Sequence, residues 1–162
     1  MNELERIRQA YERRKVEGKG QLYNLFGSGS AALFHFQQRE KAILQALARS
    51  GILELSDKKI LEVGCGAGGV LREFIKYGAK PENCSGIDLL PDRTETAKHI
   101  SPNIDLRCDS AEKLPWDDEY FDIILCFTVF SSIFDEEMRQ RIASEMLRVL
   151  APEGIILWYD FT

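Results

Sequence analysis

No apolar run in this sequence approaches the ~20 residues that cross a bilayer as a helix, and the opening stretch, Met1 to Lys15, is charged throughout. That excludes a spanning helix and gives no apolar core for a signal peptide, so the expected location is the cytosol. A basic excess is also missing. With Lys+Arg 21 against Asp+Glu 26 and a formal net charge of −5, general binding to nucleic acid or to an anionic membrane is not expected, because both call for a basic face. The four cysteines, Cys65, Cys84, Cys108 and Cys126, include no C-x-x-C pair. Zinc-ribbon and thioredoxin-like chemistry therefore has little support. All four fall at or near the ends of expected strands, where a reduced thiol behaves as a small hydrophobe. Cys65 alone lies inside a glycine-rich turn, where a reactive thiol is the alternative reading.

What is present is ordinary globular material, 44% hydrophobic over 162 residues, enough for one compact domain. Residues 1–51 read as a helical cap or lid segment and 52–162 as the core. Leu4, Ile7 and Tyr11 share one stripe of a first helix. The stretch from Lys15 to Ser30 reads as a Gly- and Ser-rich loop. Ser30 is placed to cap a second helix over Ala32 to Arg49, with Phe36, Ile43, Leu44 and Leu47 on its apolar face and Gly51 as its stop.

From Lys58 short apolar runs alternate with helical stretches. Strands are expected at Ile60–Val63, Cys84–Leu89, Ile104–Cys108, Phe121–Phe127 and Ile155–Phe161. Between them fall a helix over Val70–Tyr77 with Val70, Leu71, Phe74 and Ile75 inward, another starting near Asp92, and a third over Asp135–Leu150. In that last helix Asp135 is the expected cap, and Ile142, Met146, Leu147 and Leu150 form the inner stripe. The alternation implies an α/β fold: a mostly parallel twisted sheet with right-handed crossovers and helices on both faces. Phe121–Phe127 is nearly all apolar, as a central parallel strand buried on both faces should be.

The chemistry concentrates at three strand ends. Glu62-Val63-Gly64-Cys65-Gly66-Ala67-Gly68-Gly69 closes the first strand, where glycines allow a tight turn and close approach of a ligand to the backbone, and the N–H groups of the next helix start can hold an anion. Gly64, Gly66 and Gly69 also satisfy the dinucleotide G-x-G-x-x-G spacing, and a purely structural turn is the plainer reading. Asp88 ends the second strand within Gly86-Ile87-Asp88-Leu89, where a carboxylate can accept from ribose hydroxyls of either kind of nucleoside cofactor. Cys108-Asp109-Ser110-Ala111 ends the third; Asp109 can accept from an adenine amine, and the Ser110 and Ala111 backbones can meet the ring edge.

In these places the sequence resembles the class I, Rossmann-like S-adenosylmethionine-dependent methyltransferases. The matching stretches are the Glu62-to-Gly68 turn, Asp88, the Asp109-Ser110-Ala111 triplet with Leu114-Pro115 ahead of Phe121-Asp122, and Leu147-Arg148-Val149-Leu150 leading to Pro152-x-Gly154. Tyr23, Gln38-Arg39-Glu40 and the ending Leu157-Trp158-Tyr159-Asp160-Phe161 resemble a bacterial subgroup of unassigned substrate. The resemblance implies that Gly64, Gly66 and Gly68, with Cys65 between them, contact the methionine part of the cofactor, with Glu62 near its ammonium group. It implies Asp88 and Leu89 at the ribose, Asp109, Ser110 and Ala111 at the adenine, and Cys126, Phe127 and Thr128 on the far side.

The implied reaction is in-line displacement of a methyl group by an O, N, S or C nucleophile, with S-adenosylhomocysteine as product and a small molecule as the expected acceptor. Alignment and exclusion of water are the protein's main task. Tyr23, His35, Tyr159 and Asp160 are the candidates for a general base, each with packing as the plainer reading; Trp116 and Trp158 read as packing residues too. No catalytic residue and no metal ligand is assigned. Two other functions stay open: a noncatalytic module that binds the cofactor, and an NAD(P)-dependent oxidoreductase, which explains the glycines and Asp88 but not the Asp109 triplet. Members of the class continue past the fifth strand with a helix and an antiparallel strand pair, whereas this sequence stops at Thr162. Its fold is therefore expected without the last strands of the class, and its exposed last strand or its N-terminal helices offer routes to a homodimer.

Overall fold

The computed structural model describes residues 2–17 and 30–160, with side chains from residue 33 onward in the second stretch. The chain divides into two compact units, Met1–Leu53 and Glu54–Thr162.

The first unit holds α1 (Glu3–Val16) and α2 (Ser30–Arg49). Asn2 caps α1, its side-chain oxygen accepting from the Glu5 amide at 2.8 Å, and Glu3 and Arg6 form a two-pronged ion pair across the first turn. Ile7 is the buried member of the α1 stripe. In α2, Ile43 and Leu47 are buried, whereas Leu44, expected on the same face, is 44% exposed; one residue past Ile43 turns a side chain by about 100° around the helix axis. Gly51 ends the helix with φ +76°. There the Ile52 amide bonds back to Leu47 and the Gly51 amide to Ala48, the double closure that a left-handed glycine permits. Ser30 is the first residue of α2, and its side chain lies outside the described residues, as do Tyr23 and the rest of 18–29.

The second unit is a five-stranded sheet in the order β3-β2-β1-β4-β5, every neighbouring pair parallel. Its elements run β1 (Ile60–Val63), α3 (Gly69–Lys76), β2 (Cys84–Asp88), α4 (Pro91–Ile100), β3 (Asp105–Cys108), β4 (Phe121–Phe127), α5 (Glu136–Val149) and β5 (Leu150–Tyr159). Central position explains the composition of the strands: all residues of β1 and β2 are buried, and Ile123, Ile124 and Leu125 of β4 expose nothing. The chain steps outward from β1 to β3, then returns past β1 to β4 and β5. With right-handed crossovers this reversal puts α3 and α4 on one face and α5 on the other. It also opens a crevice at the carboxyl ends of β1 and β4, where the connections diverge.

Several expectations need correction. Strand β5 starts at Leu150, directly after α5, rather than at Ile155. Phe121 pairs with Leu150 and Ile123 with Ile155, so an irregular bulge absorbs Ala151-Pro152-Glu153-Gly154. Those residues read as a stop because Pro152 cannot donate to a ladder, but an edge strand tolerates the interruption. Leu147 is 64% exposed instead of inward; the buried row of α5 is Met138, Ile142, Met146 and Val149. Leu150 and, in α3, Val70 and Ile75 are half-buried. Cys108 is exposed rather than packed, because β3 forms the other edge. Asp135 does cap α5, accepting from the Met138 amide at 2.9 Å.

Candidate cofactor site

The turn after β1 is an extension of the sheet. The Gly64 and Cys65 amides both donate to the Ile87 carbonyl, at 2.8 and 3.0 Å, so β1 stays attached to β2 as it turns. Gly64, Gly66 and Gly68 have φ of +71°, +51° and +74°, a region that costs an L side chain energy. At Gly64 space forbids one as well, since an added Cβ would lie 2.5 Å from Cγ2 of Val129. Gly68 then caps α3. Gly69, the third glycine of the dinucleotide spacing, has no left-handed φ and nothing within 4 Å of its Cβ position. The close helix–strand approach that a dinucleotide fold asks of that glycine is therefore missing.

Asp88 is brought to this turn by β2 and is 8% exposed. One carboxylate oxygen accepts from the Gly66 amide at 2.8 Å and the other from the Leu90 amide at 2.9 Å. Each oxygen is thus oriented by a main-chain donor and keeps acceptor capacity for a ligand hydroxyl. The Asp88 carbonyl takes the Asp109 amide at 3.1 Å, which carries the same alignment on to the end of β3. There the Asp109 carboxylate accepts from the Ser110 amide at 2.7 Å. The Ser110 hydroxyl donates to Glu112 at 3.1 Å and accepts from its amide at 3.3 Å. These bonds tie Asp109, Ser110 and Glu112 into one local network. Asp109 itself is exposed, and Leu89 and Ala111 are half-buried.

Glu62 is 3% exposed. Burial, with neighbouring carboxylates adding to it, raises the thiols: Cys84, beside Glu82 and Glu62, is pushed up to about 11, Cys126, beside Asp160 and Glu62, to about 12, and Cys65, beside Glu62 and Asp88, higher still. Cys65 packs where Gly86 leaves room, since a Cβ there would lie 2.9 Å from the Cys65 Sγ; burial and the raised pKa both disfavour a thiolate. Cys126 and Phe127 are buried at the end of β4. Thr128 is half-buried and adopts φ +58°, its amide donating to the Tyr159 carbonyl at 2.7 Å.

The structure therefore gathers the glycine turn, Asp88, Asp109 and the Thr128–Val129 segment at the carboxyl ends of four adjacent strands. Sequence reading missed Val129, which abuts Gly64, and Arg93, whose guanidinium comes within 3.9 Å of the Gly66 Cβ position. Arg93 lies one turn into the helix after Asp88, and that position was its available signal. Of the candidate bases, Tyr159 and Asp160 lie at the end of β5, where the Tyr159 carbonyl meets the Thr128 amide. His35 is exposed in the first unit, its ring edge-on to Phe34. The Asp160 carboxylate accepts from the Ser131 amide, fixing the turn after β4, and the Tyr159 ring packs on Phe127. Trp158 is 54% exposed and lies against Phe130. Trp116 is half-buried, with Arg107 over its face and its indole N–H on Asp105.

A parallel sheet that presents a glycine turn, a strand-end carboxylate and a second carboxylate on the next strand defines a Rossmann-like nucleoside-cofactor domain. The comparisons narrow this: residues 60–154, more than half of the chain, match the family described as "Methyltransferase domain", and the chain belongs to that family. It is 34% identical over 116 residues to phthiotriol/phenolphthiotriol dimycocerosates methyltransferase 1 of Mycobacterium ulcerans, covering 67% of this chain and 39% of that protein. Among solved structures it is similar to a SAM-dependent methyltransferase from Methanosarcina mazei, with TM-score 0.56, 25% identity and coverage of 62% and 50%. It also resembles in fold the YcgJ protein of Bacillus subtilis, with TM-score 0.63, 24% identity and coverage of 75% and 50%. Membership brings S-adenosylmethionine as the cofactor. The residues fit it: a buried carboxylate at Glu62 and a buried carboxylate held by two amides at Asp88 suit a molecule with an ammonium group, a ribose diol and a sulfonium charge. Among the described residues no helix is long and apolar enough to cross a membrane, and no cluster of acidic, Cys and His side chains is arranged to hold a metal ion.

Proposed function

We propose that this chain takes S-adenosylmethionine into the crevice at the ends of β1 to β4 and passes its methyl group to an O, N, S or C nucleophile of a small molecule. When bound, the cofactor supplies a methyl group on a sulfonium centre that leaves as a neutral thioether. The chain's own residues hold and orient. Glu62 takes the ammonium group, Gly64, Gly66 and Gly68 admit the methionine part, Asp88 accepts from the ribose hydroxyls, and Asp109 accepts from the adenine amine beside Ala111. Thr128 and Val129 close the far side against water. Proximity and exclusion of water then carry the rate, because the leaving group needs no acid. The observation that carries the reading is the bond between the Gly66 amide and Asp88, which sets the glycine turn and the ribose acceptor as one unit before any ligand arrives.

A small-molecule acceptor is supported by the acidic balance of the chain, −5, and by the acceptor named for the mycobacterial relative. The chain spans 39% of that relative's length. Four unpaired thiols fit a cytosolic setting. The test is calorimetric titration with S-adenosylhomocysteine, with NADH as control. We expect binding to the first alone. Asp88→Ala should weaken it about tenfold or more, the worth of a hydrogen bond to a charged group. Binding of NADH, or indifference to Asp88→Ala, overturns the assignment. Methyl transfer from labelled cofactor to small molecules of a cell extract then separates the enzyme from a module that only binds.

A further inference from the structure

Helix α5 is bonded to the connection from β3 to β4, which leads away from the adenine side of the crevice. That connection, residues 109–120, contains neither α-helix nor strand, so something else must set its course. Arg148 does much of this. Its guanidinium donates to the Leu114 carbonyl at 2.8 Å, to the Trp116 carbonyl at 2.9 Å and to Asp118 at 2.7 Å, and forks the Glu145 carboxylate at 2.8 Å on both prongs. Glu145 in turn accepts from the Leu114 amide at 2.7 Å. Both main-chain groups of Leu114 thus end on one ion pair of α5.

Seven residues earlier, two helical turns back on the same side of α5, Arg141 makes a second tie to this connection. Its Nε donates to Glu112 at 2.7 Å. The other oxygen of Glu112 takes the Ser110 hydroxyl, and the Ser110 amide holds the Asp109 carboxylate. A chain of hydrogen bonds therefore runs from the surface of α5 to the acid placed at the adenine amine.

We infer that Arg141 and Arg148 are positioning residues for adenine recognition, fixing Asp109 and Ala111 through Glu112 and Leu114 without contacting the cofactor. This rests on the adenine assignment made above. The physical reason is preorganisation. A connection ordered before binding does not charge its ordering entropy against the ligand, and its donors and acceptors meet one pattern of base edge. Adenine presents an amine and a bare ring nitrogen; hypoxanthine presents a carbonyl and a ring N–H, so a loosened connection should lose discrimination between them.

The experiment measures binding of S-adenosylhomocysteine and S-inosylhomocysteine to the full chain, with urea unfolding alongside. Wild type should prefer the adenosyl compound. Arg141 is 49% exposed at its side chain, so Arg141→Ala should fold; it should weaken adenosyl binding about threefold, the scale of an exposed pair, and lower the preference by a like factor. Arg141→Lys, which still reaches Glu112 with a charge, should recover most of it. Arg148→Ala should reduce the preference further, about tenfold, beyond any fall in its unfolding midpoint. A lower midpoint with an unchanged preference in both alanine variants means that the arginines serve stability alone, and overturns the inference while leaving the cofactor reading intact. Failure of wild type to bind the adenosyl compound overturns the cofactor reading and this inference with it.

Discussion

Replacing Gly64 by alanine separates two reasons for a glycine at the end of β1. The backbone there has φ +71°, which costs an L side chain about 1–2 kcal/mol. The added methyl would also lie 2.5 Å from Cγ2 of Val129 and 3.7 Å from its Cβ, and overpacking of this kind costs about 1–3 kcal/mol. Gly64→Ala should therefore destabilise by about 2–5 kcal/mol. Val129→Ala removes the methyl in the way but leaves the dihedral penalty untouched. In a double-mutant cycle the pair should recover about 1–3 kcal/mol relative to the sum of the single changes, leaving about 1–2 kcal/mol unrecovered. The assay is urea unfolding of the four proteins at one pH, with the slope against denaturant checked for constancy. Additive single effects would show that Val129 does not bear on Gly64. A Gly64→Ala variant as stable as wild type would refute both parts of the reasoning.

Two further outcomes follow from the electrostatics. The Arg148 hydrogen bond, aided by the Leu114 amide, holds the Glu145 carboxyl below its ordinary value of 4.5. A group whose pKa is lower folded than unfolded contributes stability that is complete above the unfolded value and is lost as pH falls through the folded one. The urea midpoint should accordingly fall as pH drops below about 4.5, and Glu145→Gln should flatten that part of the profile; an identical slope in the variant would count against the clasp. Among the thiols, Cys108 alone should react with an aromatic disulfide reagent at pH 8 in the native protein, with Cys65, Cys84 and Cys126 reacting only after unfolding. Fast native labelling of Cys65 would show that its burial against Gly86 is wrong.

The elements that sequence reading placed best are those whose composition is forced by burial. Strands β1 and β4 are apolar because neighbours and helices cover them, and the glycines, Asp88 and Asp109 stand at strand ends where their spacing is local. Misplaced elements depend on context that a window of sequence does not hold. Ala151-Pro152-Glu153-Gly154 reads as an end, yet β4 supplies partners on either side of it and β5 continues through. Leu147 looks inward until Val149 is seen to complete the buried row. The bonds of Arg141 and Arg148 could not be read from the sequence, because the groups they hold lie 29 to 34 residues earlier in the chain.

The attachment of the glycine turn to β2 bears on how a ligand can get in. Two successive amides of the turn share the Ile87 carbonyl, so opening the turn means tearing the central pair of strands. Its opening free energy is then that of the sheet itself, at the high end of the range that a folded chain displays. The turn behaves as a fixed wall. The connection after β3, although clasped by α5, is joined at its start to the sheet by the single Asp109 amide and at Glu112 and Leu114 by side chains, so it parts at a lower free energy than the turn. The arginine clasps that shape the adenine wall thus also set how readily it opens for entry and exit.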